Sequence, residues 1–279
     1  MRQFVMFIFA MIVTAFSGIS YSHAQSKENV TYPNVVIPGL GGAVTVYAGI
    51  YKPRGNGPFP AVIVLHGCGG TDYNHKAWAE RLVSWGYVAL VPDSFMSRGH
   101  KSICTQTTVV TPEMRVSDIM GSTEYLAGLP YVAKDKIGLV GFSHGGWTVM
   151  KAVQERYQLK SFGIRGAVAY YPYCNPKQDS KISIPLLILI GEDDSWTPAP
   201  LCRELQANDN LKSAAPTEMV FYPNTYHSFD RPERITEVDG WSVGGGVKKH
   251  KIGGNPVAAE DSFKRSKAFF ERVFSAANN

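Results

Sequence analysis

Gly141-Phe142-Ser143-His144-Gly145 sets a serine between glycines placed two residues before and two residues after it. A serine hydroxyl is a weak nucleophile at neutral pH, and it carries out acyl transfer only when a neighbouring base takes its proton during attack. The apolar run Lys136–Val140 leads into this motif and a helix-forming stretch follows it. In that context the five residues read as a strand–turn–helix elbow, a bend so sharp that a Cβ at either glycine would meet neighbouring backbone. The elbow holds the hydroxyl clear of the strand at a helix N-terminus, where unpaired N–H groups and the helix dipole favour negative charge.

A nucleophilic serine needs a base, and the base needs an acid to orient it. His227, in Tyr226-His227-Ser228-Phe229, follows the apolar run Glu218–Tyr222 and completes the chain order serine, acid, histidine. His66, His75 and His100 precede the serine, His144 adjoins it, and His250 lies in a Gly- and Lys-rich stretch with no apolar run before it. The acid is sought after the run Pro185–Ile190, where Gly191-Glu192-Asp193-Asp194 offers three carboxylates. Spacing leaves Asp193 and Asp194 both open, and the one not used is expected to cap the turn ahead of Pro198. Two backbone N–H groups should face the oxyanion: that of His144, and that of Cys68 in His66-Gly67-Cys68-Gly69-Gly70, which closes the run Ala61–Leu65. No base adjoins the Cys68 thiol, which argues against a cysteine nucleophile. Arg98 is a candidate partner for a substrate carboxylate, and Trp147, Trp196 and Tyr73 are candidates to line an acyl pocket.

These residues must be positioned by a sheet. Besides those runs, Tyr87–Val91 and Gly166–Tyr171 are also apolar, and most of the runs are continuous rather than alternating, as in strands covered on both faces. Helices are expected between them at His75–Trp85, Pro112–Leu129, Gly145–Tyr157, Pro198–Asn208 and Val257–Ser275. The alternation predicts an α/β fold with a mainly parallel sheet of about eight strands and helices on both faces. Reactive residues should then follow the carboxyl ends of the strands, and they do. An opening hairpin is expected from Val35–Ile37 and Ala43–Tyr51, and Asp239–Asn255 is expected to be an excursion over the surface.

The ends and the composition narrow the setting. Arg2, the apolar stretch Phe4–Phe16 and the small-x-small series Ser22-His23-Ala24 have the anatomy of a secretory signal peptide, residues 1–24, leaving Gln25 first in the mature chain. Residues 25–279 suit one domain. Export permits disulfides among Cys68, Cys104, Cys174 and Cys202, and Cys68–Cys104 with Cys174–Cys202 would join loops at one end of the sheet. The formal net charge of +5 is modest and the single dense basic cluster, Lys248-Lys249-His250-Lys251, is expected in a solvated loop. No nucleic-acid signature and no zinc-like spacing is read.

Taken together, Leu65-His66-Gly67-Cys68-Gly69-Gly70, Gly141-Phe142-Ser143-His144-Gly145-Gly146, Gly191-Glu192-Asp193-Asp194-Ser195-Trp196-Thr197-Pro198 and Tyr226-His227-Ser228-Phe229 resemble the dienelactone hydrolase family over nearly the whole mature chain. Pro92-Asp93-Ser94-Phe95 with Arg98-Gly99, and Tyr170-Tyr171-Pro172-Tyr173-Cys174, are similar to exported members. The resemblance implies an α/β-hydrolase fold, a nucleophile–His–Asp set, no cofactor, and a small ester or lactone as substrate, with neither nucleic acid nor a membrane as partner. Its Gly-x-x-Asp-x-x-x-Pro pattern, on Gly191 and Pro198, places the acid at Asp194. The name-giving members carry cysteine where this chain has Ser143, which points toward broader carboxylic esters. The same residues would serve an acyltransferase or a peptidase. A non-catalytic binder on this fold would be expected to have lost one of them.

Overall fold

The structure is a computed structural model that describes residues 26–208 and 215–276. The expected signal segment 1–24 and Gln25 lie outside the described residues. In chain order the main strands are β1 (Ser26–Pro33), β2 (Thr45–Lys52), β3 (Phe59–Leu65), β4 (Val88–Asp93), β5 (Val132–Phe142), β6 (Ile164–Tyr170), β7 (Leu186–Gly191) and β8 (Thr217–Tyr222). They lie side by side as β1-β2-β4-β3-β5-β6-β7-β8. β2 runs antiparallel to both of its neighbours, and every pairing from β4 across to β8 is parallel. The opening hairpin has a different first arm from the one expected. Ser26–Pro33 pairs with β2, while Val35–Ile37 forms part of the connection. An edge strand that is mostly exposed, such as Ser-Lys-Glu-Asn-Val-Thr-Tyr-Pro, carries no apolar run to announce it.

Among the described residues, five α-helices cover the sheet: α1 (Tyr73–Ser84), α2 (Pro112–Ala127), α3 (His144–Ala152), α4 (Ala199–Ala207) and α5 (Pro256–Ser275). Asp72, Thr111 and Asn255 accept hydrogen bonds from the first-turn N–H groups of α1, α2 and α5, and Pro112 and Pro256 open their helices where no N–H is needed. α3 stops short of the expected Tyr157 because Gln154 pairs with Ile182 and a 3₁₀ turn follows. Alternation along β5 separates the faces. Gly138 leaves room for Phe270 of α5 and Phe142 packs on Trp78 of α1, whereas Gly141, of opposite parity, faces α3. β3 is buried from Ala61 to Leu65 and contributes to the apolar core on both sides.

The chain steps from β3 through α1 to β4 on one side, and resumes with β5 on the other side of β3. This reversal opens a crevice beyond the carboxyl ends of β3 and β5, the usual place for a ligand in an open sheet. Above it stands a separate two-stranded hairpin, β9 (Thr236–Trp241) and β10 (Val247–Ile252). That corrects the expectation of a solvated loop for Lys248-Lys249-His250-Lys251, which lie on β10, and gives the expected excursion Asp239–Asn255 the form of a paired hairpin. Its inner-face residues Gly240 and His250 pack on Trp196, and a Cβ on Gly240 would lie 2.2 Å from the indole. Two disulfides form in the expected pairing, Cys68–Cys104 between loops and Cys174–Cys202 between a loop and helix α4 rather than between two loops. Among the described residues no helix is long and apolar enough to cross a membrane.

Candidate active site

Ser143 sits at the bend between β5 and α3 with φ 54° and ψ −114°. A non-glycine residue there is strained by about 1–3 kcal/mol, and the surroundings must enforce it. The elbow glycines allow it through space: a Cβ on Gly141 would lie 2.2 Å from the Gly145 carbonyl oxygen, and one on Gly145 would lie 2.1 Å from that of Leu65. β3, the bend and α3 are thereby in backbone contact.

From Ser143 Oγ the line of hydrogen bonds runs 2.9 Å to His227 Nε2, and from His227 Nδ1 it runs 2.7 Å to Asp194 Oδ2. Beside an acceptor-only carboxylate Nδ1 donates, so Nε2 is left to accept from the serine hydroxyl. His227 and Asp194 are buried. Oδ1 of Asp194 accepts from the N–H groups of Trp196 and Thr197, both at 2.9 Å. Thr197 Oγ1 lies 2.9 Å from Asp194 Oδ2 and 3.0 Å from the Tyr171 carbonyl. Asp194 therefore caps its own turn, a task expected of the carboxylate left over. Asp193 is exposed, and Glu192 is exposed and pairs with Arg203.

The histidine is held from both sides. Tyr171 packs on its ring at 4.6 Å between centroids, and Trp196 at 5.1 Å. Tyr171 OH donates to Asp230 Oδ1 at 2.6 Å, and the other oxygen of Asp230 accepts from Trp78 Nε1 at 2.8 Å and Asn74 Nδ2 at 3.1 Å. Asp230, three residues beyond His227, thus anchors the histidine loop to α1. Sequence reasoning missed it, because its partners lie 59 to 156 residues away along the chain.

A pocket of about 210 Å³ opens over Ser143. Cys68 and His144 line its floor beside the serine, and Trp147, Tyr173, Trp196 and Trp241 are among its walls. A Cβ on Gly67 would lie 3.5 Å from Ser143 Cβ, so the loop carrying Cys68 backs directly onto the serine. The hairpin closes the far side: Trp241 N donates to Cys104 O at 2.8 Å, and Trp196 Nε1 to Trp241 O at 3.2 Å. Of the residues expected near a substrate, Trp147 and Trp196 line this pocket, whereas Tyr73 faces a separate groove with Asp72 and Lys76. Arg98 is bound elsewhere. Its guanidinium forms two 2.9 Å bonds to Asp118 and a third to Ser94 O, which leaves no fork for a substrate carboxylate. His250 is buried rather than solvated. Its ring stacks on Trp196 at 5.2 Å, its nitrogens meet Ser195 Oγ and Ser242 Oγ, and burial followed by the nearby His227 lowers its pKa.

The sequence model of the dienelactone hydrolase family matches residues 46–274. The chain belongs to the dienelactone hydrolase family. It is also similar to Cutinase 1 of Thermobifida cellulosilytica, 25% identical over 179 residues that make up 62% of this chain and 60% of the cutinase. A Bradyrhizobium protein described as a probable 2-oxo-3-(5-oxofuran-2-ylidene)propanoate lactonase is 26% identical over 64% of this chain and 76% of its own length. The chain spans between 44% and 60% of the length of the cutinases it matches. Among solved structures, the dienelactone hydrolase of Anabaena variabilis covers 90% of this chain with 99% of its own, at TM-score 0.61 and 18% identity. That likeness shows a shared α/β-hydrolase fold.

Proposed function

We propose that this chain is an exported serine hydrolase that cleaves carboxylic esters or lactones through an acyl-enzyme on Ser143. The observation that carries the reading is the unbroken line from Ser143, on the floor of the pocket, through His227 to Asp194. Membership in the dienelactone hydrolase family, and relatives named as cutinases and a lactonase, support ester bonds over amides. The two disulfides suit an oxidising compartment, in keeping with residues 1–24 acting as a secretory signal.

In this mechanism Ser143 Oγ attacks the ester carbonyl while its proton passes to His227 Nε2. Asp194 faces the other nitrogen, holding the tautomer and stabilising the imidazolium. The carbonyl oxygen, now an anion, is received by the N–H groups of Cys68 and His144, each worth about 3–4 kcal/mol where such donors have been removed. Collapse expels the alcohol, which takes the proton from His227. Water then repeats the attack on the acyl-enzyme, the proton again passing through His227, and the acid leaves. These steps use no cofactor.

A pocket of about 210 Å³ is smaller than the roughly 300–1,000 Å³ of sites for drug-sized ligands, which favours a short acyl group. The test is turnover of p-nitrophenyl esters from acetate to octanoate by the purified protein, with Ser143→Ala in parallel. The expected result is fastest turnover at the short end and none above background in the variant. Equal turnover by both proteins would remove Ser143 from the reaction.

A further inference from the structure

Arg115, on α2, is fully buried, and among the described residues no carboxylate lies within ion-pair distance of it. Asp118, three residues further along its own helix, is occupied by both arms of Arg98. The Nε of Arg115 has no hydrogen-bond partner. Burial is the main reason its pKa falls to about 9, and the group still carries its charge at neutral pH. An unpaired buried cation costs stability that an apolar side chain of similar size would not. Its two terminal nitrogens are both engaged.

Nη2 donates to the His66 carbonyl at 2.8 Å, and Nη1 donates to His144 Nδ1 at 2.9 Å. His66 opens the loop that carries the Cys68 N–H, and His144 is the residue whose own N–H follows Ser143. Each segment is pinned a second time. The His66 ring meets Gly67 O at 2.8 Å through Nδ1 and accepts from Ser94 N at 3.1 Å through Nε2. His144 Nε2 donates to Thr107 O at 3.0 Å, leaving Nδ1 as the acceptor that Arg115 requires. A planar guanidinium with donors at a fixed angle spans the two segments, and a lysine could reach one of them only.

We infer that Arg115 is a positioning residue that sets the spacing between the two backbone N–H donors proposed to receive the oxyanion, acting through the His66 carbonyl and the His144 ring. This rests on the serine hydrolase reading above. It assigns α2 a part in transition-state stabilisation although no atom of Arg115 needs to touch substrate.

The test measures kcat and KM for p-nitrophenyl acetate with wild type, Arg115→Met and Arg115→Lys. Competent sites in each are counted by exhaustive labelling with a fluorophosphonate. Displacing a donor by about 1 Å costs roughly 100-fold, so Arg115→Met is expected to lose about that in kcat per labelled site while KM stays within about threefold. Arg115→Lys keeps charge and bulk and guards against a Met variant that does not fold; with one of two acceptors held, it is expected to lose about tenfold. A merely structural role would reduce the number of labelled sites and leave kcat per site unchanged. Wild-type kcat per site in either folded variant overturns the inference. A wild-type protein that neither turns over the ester nor takes the label would instead overturn the hydrolase reading itself.

Discussion

Ser143 on the pocket floor, and Asp194 and His227 buried behind it, follow the ends of β5, β7 and β8 within five residues, whereas the roof is a hairpin that shares no ladder with the main sheet. The floor is set by parallel strands, by glycines in backbone contact and by a carboxylate with three hydrogen-bonding neighbours. The roof is attached through a bridge from His227 to Ile252, the bond from Trp241 N to Cys104 O, and Trp196 packed against Gly240 and His250. On the proposed mechanism the floor carries the chemistry and the roof shapes the substrate. Changes below should act on kcat, and changes above on selectivity.

The sharpest way to break this comparison is at the floor. Ser143→Ala is expected to lower kcat by about a millionfold and Asp194→Asn by about 10⁴-fold, measured on p-nitrophenyl acetate, with little change in thermal midpoint. Losses under tenfold in both would end the division of labour. A paired glycine series comes next. Gly141→Ala forces a Cβ to 2.2 Å from backbone and should abolish turnover, while Gly240→Ala meets only an indole edge at a similar distance. The Gly240→Ala protein should keep kcat within about tenfold and move mainly in KM, because a side chain can shift where backbone cannot. Equal damage from the two would show that floor and roof are one rigid unit.

Trp241→Ala sharpens the roof. Opening that wall should raise kcat/KM for octanoate relative to acetate by at least about tenfold, since each methylene newly accommodated in an apolar pocket carries about 1–3 kcal/mol. An unchanged ratio would remove the hairpin from acyl selection. The one effect that falls on stability rather than on turnover or selectivity is acid sensitivity. Burial lowers the pKa of His144 to about 3 and that of His66 well below its usual value. The unfolded chain then binds protons below about pH 6.5 that the folded one does not, so stability present above that pH is lost as the pH falls toward the folded values. His144 should contribute about 1.4 kcal/mol of loss per pH unit between about pH 6 and pH 4, with His66 adding in the same direction, read as denaturant midpoints across that range. His144→Gln should flatten the slope, and an unaltered slope would place the acid sensitivity elsewhere.

The same comparison explains what the amino-acid sequence reveals. Strands buried on both faces write themselves as apolar runs, so β3 to β8 are legible, and so are the residues that follow their carboxyl ends. The elbow glycines are legible because their need for space is local. β1 is not, since an exposed edge strand gains nothing from apolar residues. The hairpin hides for a related reason: Lys248, Lys249 and Lys251 face solvent, and only His250, Gly240, Val238 and Ile252 point inward. Asp230 and Arg115 hide because what makes them matter is a partner far along the chain, and neither composition nor period encodes that.

The central claim is that Ser143 is the group that becomes acylated. The direct measurement is peptide mass spectrometry after treatment with a fluorophosphonate. One adduct per chain on the peptide containing Ser143, lost in Ser143→Ala and slowed at least 100-fold in His227→Ala, is the predicted result. An adduct on another residue, or steady ester turnover by a protein that takes no label, would contradict it.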